Sequence, residues 1–255
     1  MGSAPGASTS ERMDFIRNGA IVRRGAVSPA VASDAFEYIR TVYGNGTADA
    51  EAISTYTNTT FVPALRSDAA LLNLYDRSGL RELAESLLAP ARAQLLSTLQ
   101  VQIRLPFETQ PPKALHIDGV ACPHLPATEL RTFTLLAGVL LTDLAMPDGG
   151  ALHYATGGHV EMAKWFRAGW PPLANEQVPS HIAIRPTTPF VGRAGDVILL
   201  HHLVPHGVHA NKTAHPRVMV YFRVKHERHD EYVIEALRDA WLEFPSIADA
   251  KRMSS

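Results

Sequence analysis

Between Arg217 and Val224 the residues alternate in kind, with Arg217, Met219, Tyr221 and Arg223 set against Val218, Val220, Phe222 and Val224. Successive side chains of an extended strand point to opposite sides. One side of this strand is therefore wholly apolar and needs a covering layer. The other carries two guanidinium groups, which an apolar core accepts only when they are paired. Such a strand belongs to a sheet with one packed face and one face turned to a polar cavity or to solvent.

Other stretches supply partners for it. LQVQIRLPF at 99–107 alternates over much of its length, and TFTLLAGVLLTD at 132–143 is too continuously apolar for a solvent-facing edge. ALHYA, IAIRPTTPFVG and DVILLHH add further short strands. Helical patterns gather at the start. Ser28-Pro29 opens one that runs to Gly44, and PALRSDAALLNLYD and RELAESLLAPARAQLLS follow, the last interrupted or kinked near Pro90. HVEMAKWFRAG, stopped by Gly169, and DEYVIEALRDAWLEFP read as later helices. The expected fold is mostly β with flanking helices, packed on a double-layered antiparallel sheet. Periodicity alone does not separate a jelly roll from another β-sandwich. The organisation predicted is a disordered tail at 1–10 and a single domain at 11–255. Within it lie N-terminal helices over 29–98, a β core over 99–226 and a C-terminal helix over 230–244.

The 255 residues suit one domain, and 46 % hydrophobic content is enough for a core. A formal charge of -1 gives no long-range pull toward nucleic acid or an anionic membrane. The single cysteine, Cys122, excludes an internal disulfide. MGSAPGASTS lacks the apolar stretch of a secretion signal, so a cytoplasmic protein acting on a small molecule is expected.

The chemistry gathers in two segments. In His116-Ile117-Asp118 an imidazole and a carboxylate sit two residues apart, which on a strand puts them side by side. A distant second histidine would complete a two-histidine, one-carboxylate set, which holds non-haem Fe(II) and leaves positions open. With twelve histidines in the chain, chance pairs are common. The second segment, GDVILLHHLVPHGVHANKTAHPRVMVYFRV, offers His201, His202, His206 and His209. His201 and His202 are adjacent on a strand, so only one can face inward, whereas His206 lies between Pro205 and Gly207 at a strand end. Pro216 holds the chain extended into Arg217. A buried guanidinium there suits a small dianionic co-substrate, because its planar fork grips a carboxylate at two points.

HIDG at 116–119, DGGALHYATGGH at 148–159 and GDVILLHHLVPHGVHANKT followed by Arg217 together resemble the phytanoyl-CoA dioxygenase family of Fe(II)/2-oxoglutarate-dependent oxygenases. The resemblance runs from about Asn18 to Pro245. It implies a double-stranded β-helix (jelly roll, cupin-like). It also implies iron on His116, Asp118 and His206, 2-oxoglutarate anchored on Arg217, and O₂ as oxidant. Related halogenases lack the carboxylate, so Asp118 argues for hydroxylation, desaturation or cyclisation. Gln102 or Arg104, on one strand face, is placed to hold the co-substrate's other end or a polar substrate. Thr132 and Thr134 share a face of the next strand, and Thr134 is a further candidate for the co-substrate. Some family members carry an aromatic on the co-substrate wall where this chain has Val139. Trp165, Phe166 and Trp170 fall where members carry a variable segment over the pocket mouth. Two rival readings stand beside this one: a cupin-type iron oxygenase that needs no 2-oxoglutarate, and a jelly-roll binding protein without turnover.

Overall fold

The computed structural model describes residues 6–42, 63–107, 112–120, 129–169 and 178–248. Its helices are α1 (Thr9–Asn18), α2 (Pro29–Val42), α3 (Ala69–Leu72), α4 (Leu74–Arg77), α5 (Leu80–Leu88), α6 (Gly158–Arg167), α7 (Ser180–Ala183) and α8 (Val233–Arg238). Its strands are β1 (Ala20–Arg23), β2 (Ala93–Arg104), β3 (Lys113–His116), β4 (Leu135–Leu140), β5 (Leu152–Tyr154), β6 (Thr188–Pro189), β7 (Val197–His201), β8 (His206–Val208) and β9 (Arg217–His226). They form a five-stranded sheet in the order β1-β7-β4-β9-β2 and a four-stranded sheet in the order β3-β8-β5-β6. All the pairings are antiparallel. The two sheets pack on each other through Leu136, Ile198, Leu200 and Met219 on one side and Leu152 and Tyr154 on the other. This is a jelly roll with flanking helices.

The apolar side of β9 meets its covering layer. Val218, Val220, Phe222 and Val224 share a core with Val101 and Ile103 of β2, with Ala137 and Val139 of β4, and with Leu83 and Leu87 of α5. Each such side chain stabilises the fold by roughly 1.5–3 kcal/mol on burial. Val139 therefore faces the helices, not a co-substrate wall. The opposite face of the large sheet carries Gln102, Gln100 and Tyr221, because Gln102 pairs with Met219 and Gln100 with Tyr221 in register.

Boundaries differ from the sequence reading at several points, among them IAIRPTTPFVG, whose first residues close α7 and which pairs as a strand only at Thr188–Pro189. Ser8 caps α1: its hydroxyl accepts from the Glu11 amide at 3.2 Å, and its own amide donates to Glu11 Oε2 at 2.7 Å. That reciprocal pair orders the end of the expected tail, and Arg23 holds the same carboxylate at 2.6 Å. Near Pro90 the chain does not kink a helix. It ends one, and from Ala93 it pairs with His226 as a strand. The C-terminal helix stops at Arg238, where Asp239 turns extended and its side chain accepts from the Trp241 amide at 2.9 Å. Among the described residues no helix is long and apolar enough to cross a membrane.

A histidine cluster packs the C-terminal segment onto the sheet. His201 stacks on His202 with centroids 4.6 Å apart, and His159 meets the Trp241 ring edge-on at 5.2 Å. The Leu203 amide donates to His201 Nδ1 at 3.0 Å, so Nε2 carries the proton and donates to the Ala240 carbonyl at 2.7 Å. A second proton on His201 would break the first of these bonds. Burial, then the neighbouring His202, holds His201 well below the usual imidazole range. Burial, then His229, pushes His202 down to about 3, and burial, then His209, pushes His153 down to about 4. These folded-state values lie below the unfolded one, so the unfolded chain binds protons first. Stability is thus complete above pH ~6.5 and falls as the pH drops toward 3. At pH 5 His202 forfeits roughly 2 kcal/mol, His201 and His153 add to the loss, and the melting temperature is expected to fall by about 5 °C or more from its pH 7 value. A melting temperature level between pH 7 and pH 5 in circular dichroism would contradict this.

Candidate metal centre

His116 ends β3 and His206 begins β8, and the two are paired in the antiparallel register of the small sheet. Their ring centroids stand 4.6 Å apart. Asp118 lies past the end of β3, in a turn, and still points to the same side, while Ile117 between them is buried in the opposite cluster. Gly119 makes that turn with φ of +76°. A Cβ there would collide with the backbone of Arg131, whose amide donates to the Gly119 carbonyl at 3.0 Å. Glycine after Asp118 is thus a requirement of the path. One ligand atom from each of His116, Asp118 and His206 lies within 4.8 Å of the others.

The donor set suits a divalent cation. His116 Nδ1 is 3.0 Å from the Ala114 carbonyl and His206 Nδ1 is 3.0 Å from the Val204 carbonyl. A carbonyl only accepts, so each Nδ1 carries the proton and each Nε2 presents a lone pair. Burial, then His116, pushes His206 down to about 3, so it is neutral at physiological pH. For Asp118, burial opposes ionisation, but the Arg223 guanidinium at 2.9 Å outweighs it. The carboxyl is held well below its usual range. Two neutral nitrogens and one anionic oxygen converge.

These groups open into a cavity of about 360 Å³, mouth included, walled also by Gln100, Gln102, Lys113, Leu136, Leu152 and Tyr221. Arg217 is 1 % exposed and joins the wall through Gln102. Its Nη2 donates to Gln102 Oε1 at 2.8 Å and its Nε to the Gly150 carbonyl at 2.7 Å. Arg104 is buried beside it in register. Asn211 orders the loop before β9, donating to the carbonyls of Arg104 at 3.0 Å and His215 at 2.7 Å.

The structure places other candidates elsewhere. Thr134 does not reach the cavity: its hydroxyl accepts from the His226 amide at 2.7 Å and lies 3.4 Å from His229 Nδ1. Thr132 bonds His229 Nε2 at 2.9 Å, so both threonines serve the C-terminal cluster. His209 pairs with His153, with centroids 4.3 Å apart, and is not part of the cavity wall. Phe166 is buried against Met162, Ile182 and Leu203, with Trp165 packed beside it, so both belong to the core under α6. Trp170 and Cys122 lie outside the described residues.

The sequence reading missed Lys113 and Gln100. Gln100 could have been found, since it shares the strand face of Gln102. Lys113 could not, because a register shift between Lys113 and His116 breaks the alternation that would have linked them.

A family model for phytanoyl-CoA dioxygenase matches residues 15–219. Among solved structures the chain is similar to the epimerase SnoN in complex with Fe3+, alpha ketoglutarate and nogalamycin RO. That match has 19 % identity and a TM-score of 0.63, and covers 85 % of this chain and 82 % of that one. It is also similar to EctD from S. alaskensis with 2-oxoglutarate and 5-hydroxyectoine, with 20 % identity, a TM-score of 0.62, and coverage of 89 % and 78 %. A third likeness is HygX from Streptomyces hygroscopicus with nickel and 2-oxoglutarate bound, with 18 % identity, a TM-score of 0.59, and coverage of 88 % of both chains. At these identities the likeness speaks to the fold. No curated protein matches by sequence.

Proposed function

The chain belongs to the phytanoyl-CoA dioxygenase family, and on that premise we propose that it is a non-haem Fe(II)/2-oxoglutarate-dependent dioxygenase that oxidises a C–H bond of a small organic molecule. The observation that carries this reading is the convergence of His116, Asp118 and His206 within 4.8 Å. Iron held there, with 2-oxoglutarate and O₂, supplies the oxidative chemistry, and the co-acid leaves as succinate and CO₂. The rest is the work of side chains. His116 and His206 offer Nε2 because the Ala114 and Val204 carbonyls hold the proton on Nδ1. Asp118 supplies the negative charge. Arg217 receives the distal carboxylate of the co-acid in place of Gln102 Oε1, its present partner at 2.8 Å. Gln102, released from Arg217, can turn its amide to the same carboxylate. The apolar walls at Leu136, Leu152 and Val208 keep water from the reacting carbon.

A role in making specialised metabolites fits the fold likeness to SnoN, an enzyme of nogalamycin biosynthesis. The chain from the Ser8 cap onward then acts as one catalytic domain in the cytoplasm. Substrate-free turnover tests the class. The purified chain, given Fe(II), 2-oxoglutarate and air, is expected to release succinate slowly, and a chelator should stop it. No Fe(II)-dependent succinate, alone or with any of a panel of small organic substrates, would contradict the proposal.

A further inference from the structure

Arg223 touches the carboxylate of the donor set without being part of it. It lies six residues after Arg217 on the same face of β9, opposite Leu136 in register. Its Nη2 is 2.9 Å from Asp118 Oδ2 and 3.2 Å from Gln100 Oε1. Its guanidinium carbon stands 5.4 Å from the centre of the Phe133 ring. The other oxygen, Oδ1, is the one turned to His116 Nε2, at 3.4 Å. The two oxygens of Asp118 therefore have different neighbours: one faces the His116 imidazole, and the other faces a cation held by the Gln100 amide and the Phe133 ring.

We propose that Arg223 is a positioning residue that keeps Asp118 a one-oxygen ligand. The inference rests on the reading of His116, Asp118 and His206 as the iron ligands. To turn Oδ2 toward a metal, Asp118 must break a charge-assisted hydrogen bond that an aromatic ring and an amide hold in place. With Oδ2 engaged, the protein presents three donor atoms. A chelating carboxylate would present four and take one of the positions a 2-oxo acid needs. A planar fork suits the task better than an ammonium, because the same guanidinium nitrogen that holds Oδ2 is oriented by Gln100 and by stacking on Phe133.

The test uses the full chain, stripped of metal and reloaded with Co(II) without co-substrate, since the visible absorption of Co(II) reports its coordination number. Arg223→Gln is expected to shift that spectrum toward higher coordination before any 2-oxoglutarate is added. It should then weaken 2-oxoglutarate binding at least about tenfold while Co(II) affinity stays within roughly threefold. Arg223→Lys, which keeps the charge and loses the fork, should recover part of the co-acid affinity. A Co(II) spectrum identical to wild type would overturn the proposal. So would an equal loss of metal and co-acid affinity with a lowered melting temperature, the mark of a structural prop. Should Arg223→Gln not fold, Arg223→Lys decides by the same split, with a co-acid loss of about threefold or more expected. Wild-type protein that takes up no Co(II) would overturn the metal reading itself, and this inference with it.

Discussion

Asp118→Ala is expected to abolish Fe(II) binding at micromolar metal and to lower turnover at least about a thousandfold, with the fold retained. The reason is electrostatic. His116 and His206 are neutral donors, and Asp118 brings the one negative charge to the set. Without it a divalent cation must leave water for two imidazoles and a neighbouring guanidinium, Arg223, whose own partner has gone. The fold should survive because the carboxylate sits in a turn and is 19 % exposed. The turn is made by Gly119 and its bond to the Arg131 amide, neither of which uses that side chain. Losing this mostly buried ion pair costs about 1–3 kcal/mol, less than the roughly 5–15 kcal/mol that holds a typical domain folded. An anaerobic Fe(II) titration with a thermal melt separates the two effects. Full activity in the variant would remove Asp118 from the site. His116→Ala is expected to behave alike, because its loss also takes away a donor fixed by the Ala114 carbonyl.

What the amino-acid order could reveal follows from which forces are local. The alternation along β9 is local, and both its faces appear as expected: Phe222 is packed under the helices, and Tyr221 stands on the cavity wall. The His-x-Asp spacing is local too, though Asp118 acts from a turn and not from the strand. Thr134 shows the limit. It shares a strand-like face with Thr132, but the strand proper begins at Leu135, and the hydroxyl is claimed by an amide 92 residues away at His226. No spacing rule anticipates that partner. Arg223 is similar: the sequence puts it on the face of Arg217, but only the closure of the sheets brings it to Asp118 across 105 residues. Phe166 reads equally well as lid or core, and burial by Ile182 and Leu203, from distant segments, decides for the core. By contrast Ser8 and Glu11 carried a legible helix-start signature whose short, polar setting concealed it.

Arg217→Leu is expected to raise the KM for 2-oxoglutarate about a hundredfold or more while changing the KM for the organic substrate little. In the structure the guanidinium is 1 % exposed, and its Nη2 is satisfied by a neutral amide oxygen, Gln102 Oε1 at 2.8 Å. A carboxylate is the stronger acceptor for a buried guanidinium, so the dianionic co-acid can displace that amide. Leucine offers neither charge nor donors and leaves the Gly150 carbonyl without the 2.7 Å bond from Nε. An orphaned buried carbonyl costs about 1–3 kcal/mol, so the melting temperature should also fall. Arg217→Lys controls for that: it keeps the charge and loses the fork, and should sit between wild type and the leucine variant in co-acid KM. Steady-state succinate formation against 2-oxoglutarate concentration gives the numbers directly. This residue also separates the two iron chemistries. A cupin-type oxygenase that needs no co-acid would keep its rate in a folded Arg217→Leu protein and consume O₂ without making succinate. Equal co-acid dependence in wild type and variant would place the anchor elsewhere on the cavity wall.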